Sequence, residues 1–252
     1  MPPAGPIKIN CDLGEAFGNY KCGPDDELLP LIDHANVGCG FHGGDPMVMM
    51  ETVKKAKHFG VKVGAHPGLP DLQGFGRREM KITPEEGKAM VMYQIGALKQ
   101  FLEAEDMPLH HVKPHGVFYA MMNKDYDLAV AVCEAIPKGV PLFVHAGTVS
   151  EKAAKAVGVP YWNELCMDIR YKDGGDFVLE RKKKPYSLED IKLNTTLAVE
   201  KQKVPAIEGV EYYFPTGDNN LTLCAHSDTP GCVEVVKAMR EIVDKHNAKY
   251  YS

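Results

Sequence analysis

Short apolar runs alternate with amphipathic stretches along the chain. The runs at residues 7–11 and 61–65 predict buried strands, because each is brief and lies next to turn-forming or titratable residues. Between them, Asp45 followed by Pro46 is typical of a helix start, and Gly60 is typical of a helix end. The apolar stripe between these two ends consists of Met50, Val53, Ala56 and Phe59. The pattern therefore begins as strand, helix, strand.

The same alternation continues to the C-terminus. Thr83 and Glu86 fit a capping box that opens a second helix, and Ser187 opens a later one. The other predicted elements are a strand leading to Lys113, a helix at 125–135, a strand at 140–145, a helix at 150–157, a strand at 221–224 and a C-terminal helix. About seven strand–helix units favour an α/β fold, a distorted seven-stranded β/α barrel. A doubly wound open sheet is the alternative, although no GxGxxG motif follows the first strand.

Composition indicates one domain at residues 7–252, preceded by a disordered lead-in at residues 1–6. The 252 residues suit a single barrel, and the lead-in lacks the charged and apolar parts of a secretory signal. Seven cysteines with no CxxC spacing predict a reduced, cytoplasmic protein. A net charge of −5 gives no reason to expect a nucleic acid or membrane partner. The expected partners are a small-molecule substrate and possible further copies of the chain.

Titratable residues follow the predicted strands, where a β/α barrel gathers its active site. They are Asp12 and Glu15, then His42, His66, Lys113 and His115, and finally His226 and Asp228. This arrangement predicts an enzyme.

The individual side chains suggest roles, with alternatives left open. Asp12 and Glu15 are expected to act as an ionised base and a protonated acid, unless they belong to a solvated turn. Lys113 ends an apolar strand, so its ammonium group is expected to point at a carboxylate or an oxyanion. His42, between glycines, predicts a partly buried imidazole that titrates near neutrality, and His115 can reach the same space.

Other polar residues suggest substrate contacts. Arg77 or Arg78 is expected to bind a carboxylate or phosphate, or else to form a surface ion pair. A cluster of Asp168, Arg170 and Tyr171 would orient an anionic substrate. The basic run at 181–184 predicts a solvated face. Structural roles are assigned to His34, His58, His110, His111 and His246.

A metal centre is an alternative for the early motifs. Asp12, His42 and His66 on adjacent strands would match an oxygen–nitrogen ligand set for zinc or a similar divalent ion. Histidines also serve as acid–base groups, so both interpretations stay open.

Five motifs in order resemble the LamB/YcsF family, which includes the A subunit of bacterial 5-oxoprolinase and fungal lactam-utilisation proteins. They read NCDLGE at 10–15, ANVGCGFH at 35–42, GAHPG at 64–68, GFGRR at 74–78 and VKPHG at 112–116. The resemblance implies a seven-stranded β/α barrel similar to glycoside hydrolases and polysaccharide deacetylases. It also implies ATP-dependent opening of 5-oxoproline to glutamate with partner subunits. The chain has no Walker A motif, so use of ATP would depend on an atypical site or on those partners.

The later motifs depart from the family pattern. The family has Arg directly after the aspartate at 168, where this chain has Ile169, and its closing His-Gly-Asp becomes His226-Ser227-Asp228. Substrate binding is therefore the part most open to change. The leading hypothesis is a cyclic-amide hydrolase. Asp12 or Glu15 with His66 would activate water, Lys113 would stabilise the oxyanion, His42 or His115 would protonate nitrogen, and Arg77 or Arg170 would hold a carboxylate. The alternatives are a metal-dependent deacetylase-like hydrolase and a non-catalytic component of an oxoprolinase assembly.

Overall fold

A curled parallel β-sheet forms the centre of the protein in a computed structural model that describes residues 3–178, 180 and 182–251. Its six regular strands, counted over those residues, lie in the order β3-β2-β1-β10-β5-β4. Their bounds are β1 Lys8–Leu13, β2 His34–Gly38, β3 Lys62–His66, β4 Leu142–Val144, β5 Tyr161–Cys166 and β10 Leu221–His226. Since all neighbouring pairs are parallel, the carboxyl ends of these strands meet at one face.

The segment around Val112 joins the two edges of this sheet. Val112 forms isolated parallel bridges with Ala65 of β3 and with Leu142 of β4. Its neighbours extend the contact to β3, because Lys113 N donates to Ala65 O and His110 N donates to Val63 O. The predicted strand before Lys113 is thus present only as a bridge, and the central sheet has six regular strands among the described residues.

Helices cover the outside of the sheet. They are α1 Asp25–Leu28, α2 Pro46–Phe59, α3 Pro84–Ala104, α4 Gly116–Met122, α5 Tyr126–Ala135, α6 Val149–Val157, α7 Leu188–Lys201 and α8 Cys232–Tyr250, with a 3₁₀ turn at Leu29–Leu31. The predicted caps are confirmed: Asp45 accepts hydrogen bonds from the first turn of α2, and Thr83 and Glu86 form the capping box of α3. Among the described residues, no helix is long and apolar enough to cross a membrane.

Two small hairpins and the chain ends complete the fold. The hairpins pair β6 Arg170–Tyr171 with β7 Phe177–Val178, and β8 Lys203–Pro205 with β9 Glu211–Tyr213. In the predicted lead-in, Pro3 is buried and its carbonyl accepts a hydrogen bond from Tyr251, while residues 1 and 2 lie outside the described residues. Nearby, the Asn247 side chain bonds both the amide and the carbonyl of Ile7, so the two chain ends are adjacent.

Candidate active site

A buried ion pair lies at the carboxyl ends of the strands. Lys113 Nζ lies 2.5 Å from Asp12 Oδ1 at the end of β1, and 3.9 Å from Glu164 Oε1 on β5. Burial by itself lowers the pKa of Lys113, but the charge of Asp12 outweighs this and holds the pKa well above its usual value. Burial raises the pKa of Asp12, yet His66 and Lys113 together bring it well below its usual value. The pair is therefore ionised, as the sequence argument for Lys113 anticipated.

Asp12 is fixed by a chain of polar side chains inside the sheet. Asn36 Nδ2 donates to Asp12 Oδ1 at 2.8 Å and to Asn10 Oδ1 at 2.7 Å. Asn36 Oδ1 in turn lies 2.6 Å from His111 Nε2, which must carry the proton because an amide oxygen only accepts. The His111 ring stacks on Phe143 and covers Gly64, where any Cβ would overlap the imidazole. The sequence predicts a structural role for His111, and two hydrogen bonds through Asn36 connect its ring to Asp12.

Glu164 is a buried carboxyl that the sequence did not single out. Neither of its oxygens has a hydrogen bond within 3.5 Å, although the side chain is fully buried. Burial raises its pKa above the usual value, despite the opposing charge of Lys113. A carboxyl group with a lowered pKa, Asp12, and one with a raised pKa, Glu164, therefore both lie close to Lys113 Nζ.

Glu15 is surrounded by three histidines. Its Oε1 lies 2.8 Å from His42 Nε2, 3.3 Å from His115 Nδ1 and 3.8 Å from His66 Nε2. Burial raises the pKa of Glu15, but hydrogen bonding with His115 and His42 lowers it by more, to well below its usual value. The expectation that one of the two carboxyl groups, Asp12 or Glu15, is a protonated acid is therefore wrong, because the pKa of each lies well below its usual value. All four side chains are buried, so the alternative of a solvated turn is also wrong.

The histidine rings are held in fixed orientations. His66 Nδ1 lies 2.6 Å from the carbonyl oxygen of Lys113, and His115 Nε2 lies 2.8 Å from that of Phe75. The His42 ring is stacked on His115 and leaves no room for a Cβ at Gly68. Burial lowers the pKa of His115 to about 3 and also lowers that of His42. The prediction that His42 is partly buried is wrong, because the ring is fully buried, and this burial lowers its pKa.

A second charged cluster borders the same pocket. Asp168 Oδ1 accepts from His226 Nδ1 at 2.7 Å, and Asp168 Oδ2 accepts from the Thr229 hydroxyl. Burial raises the pKa of Asp168, but His226 and Lys183 lower it by more, to well below its usual value. His226 Nε2 lies 3.6 Å from Asp12 Oδ2, so this cluster adjoins the Lys113 pair.

Arg77 and Lys183 meet at Asp228. Arg77 Nη1 lies 2.6 Å from Asp228 Oδ2, and Lys183 Nζ lies 3.2 Å from Asp228 Oδ1 and 3.5 Å from Asp168 Oδ2. Both cationic side chains are largely buried. The prediction of a solvated face at 181–184 is wrong for Lys183. A run of basic residues in the sequence does not show that carboxylates from other segments, Asp168 and Asp228, pair with one of them. Arg181 lies outside the described residues.

The other residues that the sequence suggests as substrate contacts do not all lie at the pocket. Arg170 is exposed and does not line the pocket, and Tyr171 is buried with its hydroxyl bonded to the Cys166 backbone. Arg78 is half exposed and pairs with Asp71, the ordinary ion pair that the sequence allowed for one of the two arginines. Of the predicted cationic contacts, Arg77 is the one that reaches the pocket.

The pocket itself opens between these clusters and holds about 630 Å³ of empty space, including the part open to solvent. Asp12, Lys113 and Glu164 lie on its wall, as do His115 and His226. Tyr119 also lines it, and its buried hydroxyl has no hydrogen-bond partner among the described residues. The pocket therefore offers an ion pair, a second buried carboxyl group and a hydroxyl group to one small ligand.

Comparison with known proteins agrees with the motifs. The LamB/YcsF family model matches residues 7–252. The chain belongs to the LamB/YcsF family. It is 52% identical over 249 residues to the lactam utilization protein lamB of Emericella nidulans, covering 97% of this chain and 98% of that one. It is 41% identical over 246 residues to the A subunit of 5-oxoprolinase from Clostridium beijerinckii, covering 96% and 95%.

A solved LamB/YcsF structure shares the fold. The lactam utilization protein from Thermus thermophilus superposes with a TM-score of 0.85 at 41% identity, covering 95% of this chain and 96% of that one. Within this LamB/YcsF chain, Ser227 stands where the family pattern has glycine, and its side chain packs closely on Gly23, which has no Cβ to obstruct it. Beside it, His226 is hydrogen bonded to Asp168.

Proposed function

We propose that this protein opens a small cyclic amide that carries a carboxylate, with 5-oxoproline as the leading substrate, in an ATP-dependent assembly with partner subunits. The observation that carries the proposal is the Asp12–Lys113 ion pair beside the buried Glu164 carboxyl, whose oxygens have no hydrogen bond, on one pocket wall. Amide opening needs an activated water, a stabilised oxyanion and a proton for the departing nitrogen. The names of the relatives, a lactam utilization protein and a 5-oxoprolinase component, support the same substrate class.

Asp12 is the base in this scheme. Its Oδ1 is occupied by Lys113 and Asn36, whereas Oδ2 has no hydrogen bond and lies 3.1 Å from His66 Nε2. A water bound at Oδ2 would give up its proton as its oxygen attacks the ring carbonyl. His66 then orients the carboxylate and the water.

Lys113 and Glu164 serve the other two requirements. The Lys113 ammonium group stabilises negative charge on the carbonyl oxygen of the ring. If a partner subunit has phosphorylated that oxygen, Lys113 stabilises the charge of the phosphorylated intermediate. Glu164, whose pKa burial raises, would in this scheme carry the proton that passes to the nitrogen as the C–N bond breaks. It suits this step better than His115, whose Nε2 proton is held by Phe75 O, and better than His42, which lies behind the pocket wall.

Arg77 and Lys183 would hold the substrate carboxylate. Both line the pocket and share Asp228, so a ligand carboxylate would add to an existing cationic pair. The exposed Arg170 is not needed for this role.

In this proposal, partner subunits and not this chain would use ATP. No Walker A motif occurs in the sequence, so phosphoryl transfer would come from another polypeptide. The name of the Clostridium beijerinckii relative, which marks it as one subunit of a larger enzyme, supports such an assembly. In the same proposal the Val112 segment is the seventh position of a distorted barrel, because it contacts β3 and β4 on its two sides.

The test is a lactam panel with and without ATP, Mg²⁺ and candidate partner subunits. Lys113→Ala and Asp12→Asn are expected to abolish ring opening while circular dichroism shows a folded protein. Lys203→Ala is the matched control, since Lys203 forms an exposed pair with Glu211 and belongs to a separate hairpin. If no lactam is opened under any condition, the proposal fails. If turnover on mixing survives both site variants, the chain is a non-catalytic component.

A further inference from the structure

Four buried side chains beside the pocket have more acceptor atoms facing one another than protons to satisfy them. Glu15 Oε1, His42 Nε2, His66 Nε2 and His115 Nδ1 belong to a group whose potential ligand atoms all lie within 4.8 Å of one another. Each of the four residues is buried. Such a group is stable only if something positive lies among the acceptors.

The proton positions can be assigned from the backbone. A carbonyl oxygen only accepts, so the proton of His66 lies on Nδ1, toward Lys113 O, and that of His115 lies on Nε2, toward Phe75 O. The inner nitrogens, His66 Nε2 and His115 Nδ1, then present lone pairs to each other at 2.9 Å. They also face Glu15 Oε1 and Asp12 Oδ2, which are acceptors as well.

Two kinds of cation could resolve this conflict. Extra protons would convert a histidine of this group to an imidazolium in a fully buried site. The rings of His42 and His115 are stacked there, with centroids 3.6 Å apart. A metal ion would instead use every inner lone pair at once. In known sites, a ligating histidine donates its outer N–H to a backbone carbonyl or carboxylate, and His66 and His115 both do so here.

We propose that Glu15, His42, His66 and His115 bind one first-row divalent transition-metal ion of the Zn²⁺ class. Three imidazole nitrogens and one carboxylate oxygen are the donors that such ions prefer. The set differs from the Asp12, His42 and His66 triad that the sequence suggested, because Glu15 and His115 replace Asp12. Asp12 Oδ2 has no hydrogen bond and lies 3.1 Å from His66 Nε2, where it can approach the ion as a further ligand.

The ion would lie mostly behind the pocket wall. Of the four ligands, His115 lines the pocket, and the other three lie beneath it. The ion would therefore fix the loops after β1, β2 and β3 and the orientation of Asp12, in addition to any effect on a bound water. This inference does not depend on ring opening, because metal content is measured without turnover.

The experiment uses the full chain, stripped with EDTA, refilled with Zn²⁺ and separated from free ion before elemental analysis. One ion per chain is expected in the wild type and in His34→Gln, a buried histidine at the start of β2, away from the carboxyl ends of the strands. Glu15→Gln is expected to weaken binding by at least about tenfold. Retention of no ion by the wild type, or equal affinity in Glu15→Gln, overturns the proposal.

Cobalt provides a second readout that does not rely on a variant. Co²⁺ bound to nitrogen and oxygen gives visible d–d bands without the intense near-ultraviolet band of a cysteine ligand. A thiolate band would place the ion at Cys166, Cys224 and His226, whose ligand atoms also cluster, and would overturn the assignment. If Glu15→Gln does not fold, the wild-type cobalt spectrum alone decides.

Discussion

The imidazole of His42 lies flat on that of His115, with ring centroids 3.6 Å apart and planes 4° from parallel. Both rings contact the same oxygen of Glu15. The stack therefore fixes the position of a buried carboxylate, which would otherwise need other donors inside the protein.

His115→Phe separates stacking from hydrogen bonding, because the ring remains but both nitrogens are lost. In EDTA-treated protein, the free energy of unfolding is expected to fall by about 1–3 kcal/mol, since the Phe75 carbonyl loses the Nε2 proton of His115. Denaturant titration measures the change. His34→Phe is the control, since its Nδ1 has no hydrogen bond among the described residues. An equal loss in both variants would contradict the role given to the hydrogen bond between His115 and the Phe75 carbonyl.

His111→Phe is expected to lower kcat by about 10–100-fold with little change in KM, the scale seen when a residue that supports a site's inner groups is lost. The stack on Phe143 is kept, but Asn36 loses the partner that orients its amide toward Asp12. His111→Gln can place an N–H near the position of Nε2 and should recover most of the activity. Equal kinetics in the two variants would show that His111 acts through packing alone.

The close packing of the His42 ring on Gly68 can be tested without changing any polar group. Gly68 has an ordinary backbone conformation, yet a Cβ there would overlap His42 Nδ1. Gly68→Ala is therefore expected to destabilise the protein by about 1–3 kcal/mol. Gly96, inside α3 with open space around it, is the matched control, and Gly96→Ala should stabilise by about 0.5–1 kcal/mol. A lower thermal unfolding midpoint for Gly68→Ala and a higher one for Gly96→Ala would support the close packing of His42 on Gly68.

Asp25 gives the protein a specific pH dependence. Burial raises its pKa from 3.8 to about 6, so the folded state binds this proton more tightly than the unfolded chain does. The stabilisation is fully present below about pH 4 and is lost as the pH rises through 6. Asp25→Asn keeps an oxygen for Gly14 N and removes the charge.

Relative to the wild type, Asp25→Asn should gain at most about 3 kcal/mol at pH 8 and nothing near pH 3.5. Denaturant midpoints across that range measure the difference. Asp26→Asn is the control, because Asp26 is exposed and pairs with Lys55 at the surface. A gain for Asp25→Asn that is independent of pH would refute the assignment.

Local signals allow much of the fold to be predicted. Asp45, Thr83 and Gly60 mark helix ends because caps depend on residues only a few positions apart. The strand order is not predictable in the same way, since β1 lies between β2 and β10, and nothing near residue 8 specifies a partner near residue 222.

The site is predictable only in part, for the same reason. Asp12, Lys113 and His115 stand out because a charged or imidazole group follows an apolar run. Glu164 gives no such signal, because Asn163 precedes it and its isolation becomes visible only in three dimensions. The prediction for Lys183 is wrong because its partners, Asp168 and Asp228, come from other segments.

The pairing of β1 with β10 also constrains when the site can form. Asp12 lies opposite His226, near the other end of the chain, and the C-terminal helix α8 is tied to Ile7 through Asn247. During synthesis from the N-terminus, β1 can pair with β2 early, but its second edge stays open until β10 has been made. The last strand of the sheet thus completes the surroundings of Asp12, and a nascent or truncated chain holds Asp12 without its full set of neighbours.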